Sequence, residues 1–414
     1  MTTRREHAEQ LDAADQLAPL REQFQLPPNV VYLDGNSLGA LVNQVPDRLA
    51  DVVTRQWGDH LIRAWNEDAW WQAPIRIGDR IGKLLGAGPG QVVVGESTSI
   101  QFFQALTAAA RLRSGRRLVL SDLNHFPTNR YLAASVARLL GLEILEVSAD
   151  DLQAALREHG SDVCAISFGA VDFRTGALLD IPQITEAAHS QGALVVWDVC
   201  HAVGAVPLEC DADQVDLAVG CTYKYLNGGP GSPAFLYAAA RHHAALDLPL
   251  TGWHGHADPF GMTHAFEPAE GIAKARVGTL PMLSLLALDA ALDVFDGVDL
   301  TAVQTKSQDL GDFFLECLAD LLNTTPELGV VSPRRATRRG SQVTLSHPEA
   351  SPVMAALIAR GVIGDVRPPG LLRFGWNSLY IRYQDLLHAV EALETVLSEG
   401  EHRRPEHQVP RLVT

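Results

Sequence analysis

Short apolar runs of strand length recur along the chain, at 91–94, 117–120, 142–147, 163–168, 193–197, 216–220 and 234–237. The stretch Leu194-Val-Val-Trp197 is apolar at every position, as expected for a strand covered on both faces. Helical periodicity fills the gaps, for example at 131–140 and 184–190. Such alternation predicts βαβ units and an α/β fold with a mostly parallel, doubly covered sheet. After Pro281 the pattern changes. The segment 282–295 reads as a long apolar helix bridging to a smaller α/β domain, with a helix over 310–322, a strand at 342–345 and a closing helix over 383–397. The expected division is an N-terminal segment, 1–55, packing with the small domain. A large domain over 56–290 and the small domain over 291–400 follow it. The polar end, 401–414, reads as a disordered tail.

Composition narrows the function classes. With 414 residues and 47% hydrophobic content, the chain can bury the core of a large domain plus a smaller one. A net charge of −16 argues against nucleic-acid binding through a basic surface. No apolar run reaches the length of a membrane span, and the start, Met1-Thr-Thr-Arg-Arg, lacks a signal peptide's apolar segment, so a cytoplasmic protein is expected. Five cysteines, odd in number and without a Cys-x-x-Cys pair, predict reduced buried thiols. Gly86-Ala-Gly88-Pro-Gly90 precedes a strand and reads as a turn, because a dinucleotide loop would have to follow one. No Cys or carboxylate cluster completes His254-Gly-His256 as a metal site, and none is expected.

One lysine carries the strongest chemical signal. Only four of the 33 Lys and Arg residues are lysine, and Lys224 sits in Tyr223-Lys224-Tyr225-Leu226-Asn227-Gly228-Gly229-Pro230. It follows a buried-strand pattern and precedes a flexible turn. An amine held there can be desolvated, which favours the neutral form able to make a Schiff base. A lysine after a strand is by itself an ordinary surface residue; its partners change that. Asp198 ends the run 193–197, where open α/β sheets bind ligands, and His201 lies three residues on. A Schiff-base lysine with an acidic partner for a pyridinium nitrogen is the constellation that pyridoxal phosphate requires. His201 could stack on or orient the cofactor ring. A phosphate cradle is expected at Thr98 and Ser99, where Gly95-Glu-Ser-Thr-Ser opens a helical pattern. Hydroxyls and free N–H groups at a helix start bind a dianion, although Ser/Thr capping alone gives the same pattern.

These residues together resemble the kynureninase family. The likeness runs in order through Tyr32-Leu-Asp-Gly-Asn-Ser-Leu-Gly39, Trp57-Gly58, Trp65-Asn66 with Trp70, Phe126-Pro-Thr128, the Asp198 strand, the Lys224 motif, Gly252-Trp-His-Gly-His256 and Gly278-Thr-Leu-Pro281. It implies the type I PLP-enzyme fold, with a sheet of the seven-stranded kind. The implied reaction is hydrolysis of the Cβ–Cγ bond of L-kynurenine, 3-hydroxykynurenine or a ring-modified relative. The products would be an anthranilate and L-alanine, in tryptophan catabolism towards NAD or in secondary metabolism. By resemblance, Lys224 carries the cofactor, Asp198 pairs with its ring nitrogen and His201 supports the ring. Tyr223 contacts the phosphate and assists proton transfer, Thr98 and Ser99 bind the phosphate, and Phe126 and Asn129 lie at the cofactor. Trp253 and Thr279 match residues that complete the site across a homodimer interface. Arg373 matches the clamp for the substrate carboxylate, a task suited to a planar fork. Asn36, Ser37 and Trp65 are the further substrate-side candidates, and Trp70 and Trp71 are candidate aromatic walls.

Four departures from the family pattern stand out. His125-Phe-Pro-Thr-Asn129 replaces Asn-Phe-Pro-Thr-Asp, so Asn129 removes a negative charge from the site. Phe168-Gly169-Ala170 lacks an expected polar residue. His254 stands where an aromatic ring is commoner, and Arg373 is followed by Phe-Gly-Trp rather than a proline-containing run. Two other readings stay open. One is another PLP enzyme of this fold, such as a cysteine desulfurase or an aminotransferase. The other is a PLP-fold binding protein that has lost catalysis.

Overall fold

The computed structural model describes residues 3–409. Its main sheet has seven strands, in the order Val92–Val94, Phe235–Ala238, Leu217–Gly220, Leu194–Asp198, Val163–Gly169, Leu118–Asp122 and Glu143–Val147. Every pairing from Leu217–Gly220 to Glu143–Val147 is parallel. Phe235–Ala238 runs antiparallel to both its neighbours. The Gly/Pro-rich stretch after Lys224 holds no crossover helix, and without one the returning strand pairs antiparallel.

The continuous apolar runs are explained by two-sided burial. Val93, Val119, Ala165, Val196, Val219 and Leu236 pack in one core with Phe102 and Leu106 of helix Thr98–Leu112. Their sequence neighbours Val92, Leu118, Ile166, Trp197, Ala218 and Phe235 enter the core on the opposite face. A fully buried large apolar side chain contributes about 1.5–3 kcal/mol, so a strand that fills both cores is held strongly. Trp197 is fully buried, and its indole N–H donates to Thr185 Oγ1 at 3.2 Å.

A second, four-stranded antiparallel sheet follows the order Gly329–Val330, Gln342–Ser346, Leu371–Gly375 and Asp365–Arg367. From the other end of the chain, Val31–Tyr32 pairs in parallel with Val362–Ile363, and Asp34 bridges to Gly375. The apolar segment after Pro281 is helical over Met282–Ala291 and then tightens to a 3₁₀ turn, Leu292–Phe295.

The expected disordered tail is corrected over 401–409. Gly400, at φ +65, ends the helix Tyr383–Ser398 and folds the chain back. Arg360 Nε then donates to Glu401 Oε2 at 2.6 Å, and the buried His402 ring meets His347 edge-on at 5.9 Å. A polar composition concealed an ion pair and a ring contact made with distant residues. Residues 410–414 lie outside the described residues.

Asp216, just before strand Leu217–Gly220, ties the sheet edge together. It is 1% exposed and accepts from His189 Nε2 at 2.8 Å, His242 Nε2 at 2.7 Å, Arg241 Nη2 at 2.8 Å and the Val195 N–H at 2.8 Å. Burial alone would raise its pKa, but these hydrogen bonds hold the carboxyl far below the usual range. A carboxyl depressed in the folded state stabilises it above the unfolded value of about 3.9 and loses that contribution as pH falls below it. Asp216→Ala is therefore expected to cost about 3–5 kcal/mol at neutral pH, seen in the urea midpoint. The difference from the unsubstituted chain should shrink in acid.

Candidate active site

The parallel pairing of Leu194–Asp198 with Leu217–Gly220 sets Asp198 opposite Val219, so the segments carrying Asp198 and Lys224 leave the same edge of the sheet. Cys200 N–H donates to Asp198 Oδ1 at 2.8 Å, turning the chain back towards the crevice. His201 then faces the lysine, with Nε2 2.6 Å from Lys224 Nζ. Burial, and next the lysine's charge, hold the His201 ring well below its usual pKa, so it is neutral. With Nε2 accepting from the amine, Nδ1 carries the proton by assignment from the hydrogen bond. That buried Nδ1 has no protein partner.

Lys224 is anchored from behind. The Gly39 N–H donates to the Tyr223 carbonyl at 2.7 Å, and a Cβ at Gly39 would overlap the Lys224 carbonyl. Only glycine lets the Tyr32–Gly39 segment approach this closely. Tyr223 is half-buried, and burial pushes its hydroxyl up, which leaves it a proton donor at neutral pH.

A buried polar chain fixes Asp198 from the other side. Asn129 Nδ2 donates to Asp198 Oδ2 at 2.6 Å and lies 3.1 Å from His125 Nδ1. His125 Nε2 lies 3.1 Å from Ser167 Oγ. Burial lowers the His125 pKa to about 4, so the ring can accept from Asn129 at Nδ1 and donate to Ser167 at Nε2. The Asn129 departure thus puts an amide donor against Asp198, where a second carboxylate would repel it.

At the opposite wall the phosphate expectation separates into two roles. Ser97 is the N-cap of helix Thr98–Leu112, its Oγ accepting from the Ile100 N–H. Thr98 and Ser99 begin the helix itself and line a cavity of about 130 Å³. The same cavity is lined by Phe126, Asn129, Asp198, His201, Tyr223 and Lys224. A helix N-terminus with hydroxyls, a lysine amine, a carboxylate held in one orientation and a neutral imidazole therefore line one space. This donor and acceptor set fits pyridoxal phosphate: a dianion at Thr98 and Ser99, an aldehyde at Lys224 and a ring nitrogen at Asp198.

The other predicted residues lie outside that cavity. Asn36 is buried on Gln342 Oε1 at 3.0 Å, and Ser37 sits on Asp365. Arg373 is buried, its fork on the Asp365 carboxylate. Trp65 packs edge-on to Trp70, Trp71 and His254. Trp70 is a core residue whose indole N–H donates to Gln56. Trp253, 41% exposed, and Thr279, also exposed, stand on the surface. Of the departures, Gly169 lines the cavity, and His254 is buried among tryptophans with neither ring nitrogen partnered.

Comparison with known proteins decides the family. A kynureninase from Deinococcus radiodurans is 48% identical over 397 residues, covering 94% of this chain and 96% of its own length. The chain belongs to the kynureninase family. A kynureninase from Burkholderia pseudomallei is 44% identical over 415 residues, covering 99% of both chains. The sequence model of the kynureninase C-terminal domain matches residues 303–393. Among solved structures, the cysteine desulfurase CsdA from Escherichia coli superposes with a TM-score of 0.77 at 18% identity, covering 93% of this chain and 99% of that one. A cysteine desulfurase from Thermococcus onnurineus gives 0.79 at 15% identity, covering 92% and 98%. A C-DES mutant with glycine covalently linked to its PLP cofactor gives 0.78 at 15%, covering 90% and 98%. The fold of this family member is thus the type I PLP-dependent fold, as the resemblance implied.

Sequence reasoning missed His125 as a partner of Asn129, along with Ser167, Phe173 and Asp365. The spacing of His125 and Asn129, one helical turn apart, was a usable signal for the first. Ser167 and Asp365 gave none, because their partners, in the turn after strand Leu118–Asp122 and on a neighbouring strand, come near only in the folded chain. Asn129→Ala removes a hydrogen bond to a charged group worth about 1.5–3 kcal/mol. It is expected to weaken pyridoxal phosphate binding by about 10–100-fold, measured by quenching of intrinsic fluorescence in the apoprotein.

Proposed function

We propose that this chain hydrolyses the Cβ–Cγ bond of L-kynurenine or a ring-substituted relative, releasing an anthranilate and L-alanine, with pyridoxal phosphate as cofactor. The observation that carries this reading is the Lys224–His201 contact beside a doubly hydrogen-bonded Asp198, in a member of the kynureninase family. Bound pyridoxal phosphate supplies the electron sink that stabilises charge on the substrate carbon. The chain's own residues do the rest. Asp198, held by Cys200 N–H and Asn129 Nδ2, keeps its carboxylate in one orientation for the cofactor ring nitrogen. Lys224 Nζ is the amine base in the cavity, and His201 Nε2, neutral and 2.6 Å away, steers it. Tyr223, at the cavity wall, keeps its hydroxyl protonated and so available as a donor.

A homodimer with shared sites fits the surface. Trp253, Phe260 at 68% exposure, Met262 at 72% and Ile62 at 77% are large apolar groups facing solvent. A second copy covering them would bring Trp253 and Thr279 to the partner's cavity. Five buried free cysteines support a reducing, cytoplasmic setting. Among the described residues, no helix is long and apolar enough to cross a membrane.

The desulfurase alternative requires a reactive thiolate on an accessible loop. Cys317 is buried at the end of helix Leu300–Cys317, and burial pushes its thiol up to about 11. Cys200, at the cavity wall, is raised by its contact with Cys221 and then by burial. Neither suits that chemistry.

The test is turnover of L-kynurenine and 3-hydroxy-L-kynurenine by PLP-loaded protein, following the aryl acid by fluorescence and alanine separately. One aryl acid per alanine is expected, falling at least about 10²-fold in Lys224→Ala. Cofactor binding without turnover of either compound would refute the assignment and direct the search to other β-substituted amino acids.

A further inference from the structure

Behind the Phe173 wall of the cavity lies a buried charge cluster that the cofactor site does not use. Asp365 and Arg373 face each other across antiparallel strands, each 1% exposed. Arg373 Nε donates to Asp365 Oδ1 at 2.6 Å, and Nη2 donates to Oδ2 of the same carboxylate. Ser37 Oγ closes the arrangement, accepting from Nη2 at 3.1 Å and donating to Asp365 Oδ2 at 3.0 Å. Arg367 Nη2 lies 2.7 Å from Asp365 Oδ2.

A guanidinium fork offers two edges that match a carboxylate, Nε with Nη2 and Nη1 with Nη2. Asp365 takes the first. On the second, Ser37 Oγ takes Nη2, and Nη1 donates to the carbonyl of Phe173, a residue that lines the cavity. A neutral carbonyl is a weaker acceptor than a carboxylate. The charges also favour an incoming anion. Two guanidinium groups oppose the Asp365 carboxylate, while burial, and then Asp365 itself, push the Asp34 carboxyl upward towards its neutral form.

We propose that Asp365 is a positioning residue for substrate: it holds Arg373 by the Nε/Nη2 edge, with Ser37 Oγ on the remaining Nη2 proton, and turns Nη1 to the cavity side, where an amino-acid carboxylate displaces the Phe173 carbonyl. This rests on the reading of Arg373 as the carboxylate clamp. The carbonyl keeps Nη1 satisfied until substrate arrives, and the backbone at Phe173 moves aside when it does. Without Asp365 the guanidinium swings off line, and a small misplacement of a clamp is costly.

The test uses the holoenzyme with Asp365→Asn and Arg373→Ala in parallel. L-alanine affinity is read from the absorbance change of the bound cofactor, and KM and kcat are read with L-kynurenine. Asp365→Asn is expected to weaken alanine binding and raise KM by about 10–100-fold, with kcat falling less than KM rises. Unchanged or tighter binding in Asp365→Asn, beside a clear loss in Arg373→Ala, would overturn the proposal, since Asp365 would then merely compete for the fork. No loss in Arg373→Ala would show that the clamp reading itself is wrong, and the proposal would fall with it. If Asp365→Asn has no cooperative melting transition, Ser37→Ala takes its place. Removing that one hydrogen bond is expected to raise KM and the alanine Kd by about 2–10-fold, and no change would overturn the proposal.

Discussion

Parallel pairing between Leu194–Asp198 and Leu217–Gly220 is the constraint on which the candidate site depends. Parallel strands run in the same direction, so Asp198 and the segment leading to Lys224 emerge at the same edge. A slip of one residue would turn Asp198 from the crevice into a core face. The slip is opposed by the two apolar faces of these strands, since Trp197 and Ala218 fill one core while Val196 and Val219 fill the other. The chemistry is therefore positioned by the same burial that stabilises the sheet.

Polar side chains then do what burial cannot. A carboxylate at a crevice edge has several rotamers, and Asp198 is confined to one by the Cys200 N–H on one oxygen and Asn129 on the other. Asn129 is in turn oriented by His125, and His125 by Ser167. Such a chain is useful because Asn129, His125 and Ser167 are buried and hydrogen-bonded to one another; a broken one would be worse than an apolar wall. The pair His125 and Asn129 works as a unit here, with a neutral ring accepting and an amide donating where a carboxylate would bring repulsion.

The Arg373 region follows another logic. Its polar groups are drawn from both ends of the chain, with the Ser37 hydroxyl on the N-terminal segment and the charges of Asp365, Arg367 and Arg373 on two strands of the small sheet. Parallel pairing of Val31–Tyr32 with Val362–Ile363 brings the two ends of the chain together. The sheet that carries Arg373 is thus stitched to the segment whose Gly39 supports Lys224, which links Arg373 mechanically to the lysine.

The sequence by itself determined the alternation of strands and helices, the doubly covered sheet, and the eight residues that line one cavity, Thr98, Ser99, Phe126, Asn129, Asp198, His201, Tyr223 and Lys224. Thr98, Ser99, Asp198, His201 and Lys224 were legible because each sits just after a strand-like run or at the start of a helix, where local pattern and chemistry coincide, whereas Phe126, Asn129 and Tyr223 were legible only through the resemblance to the family. Only the tertiary structure decided which partners they have. It made Ser97 rather than Thr98 the helix cap, placed Asn129 on Asp198, gave Arg373 to Asp365 and folded 401–409 onto Arg360 and His347. The physical reason is that burial follows local periodicity, whereas a hydrogen bond or ion pair between side chains depends on which distant segments the sheet register brings within about 3 Å of each other.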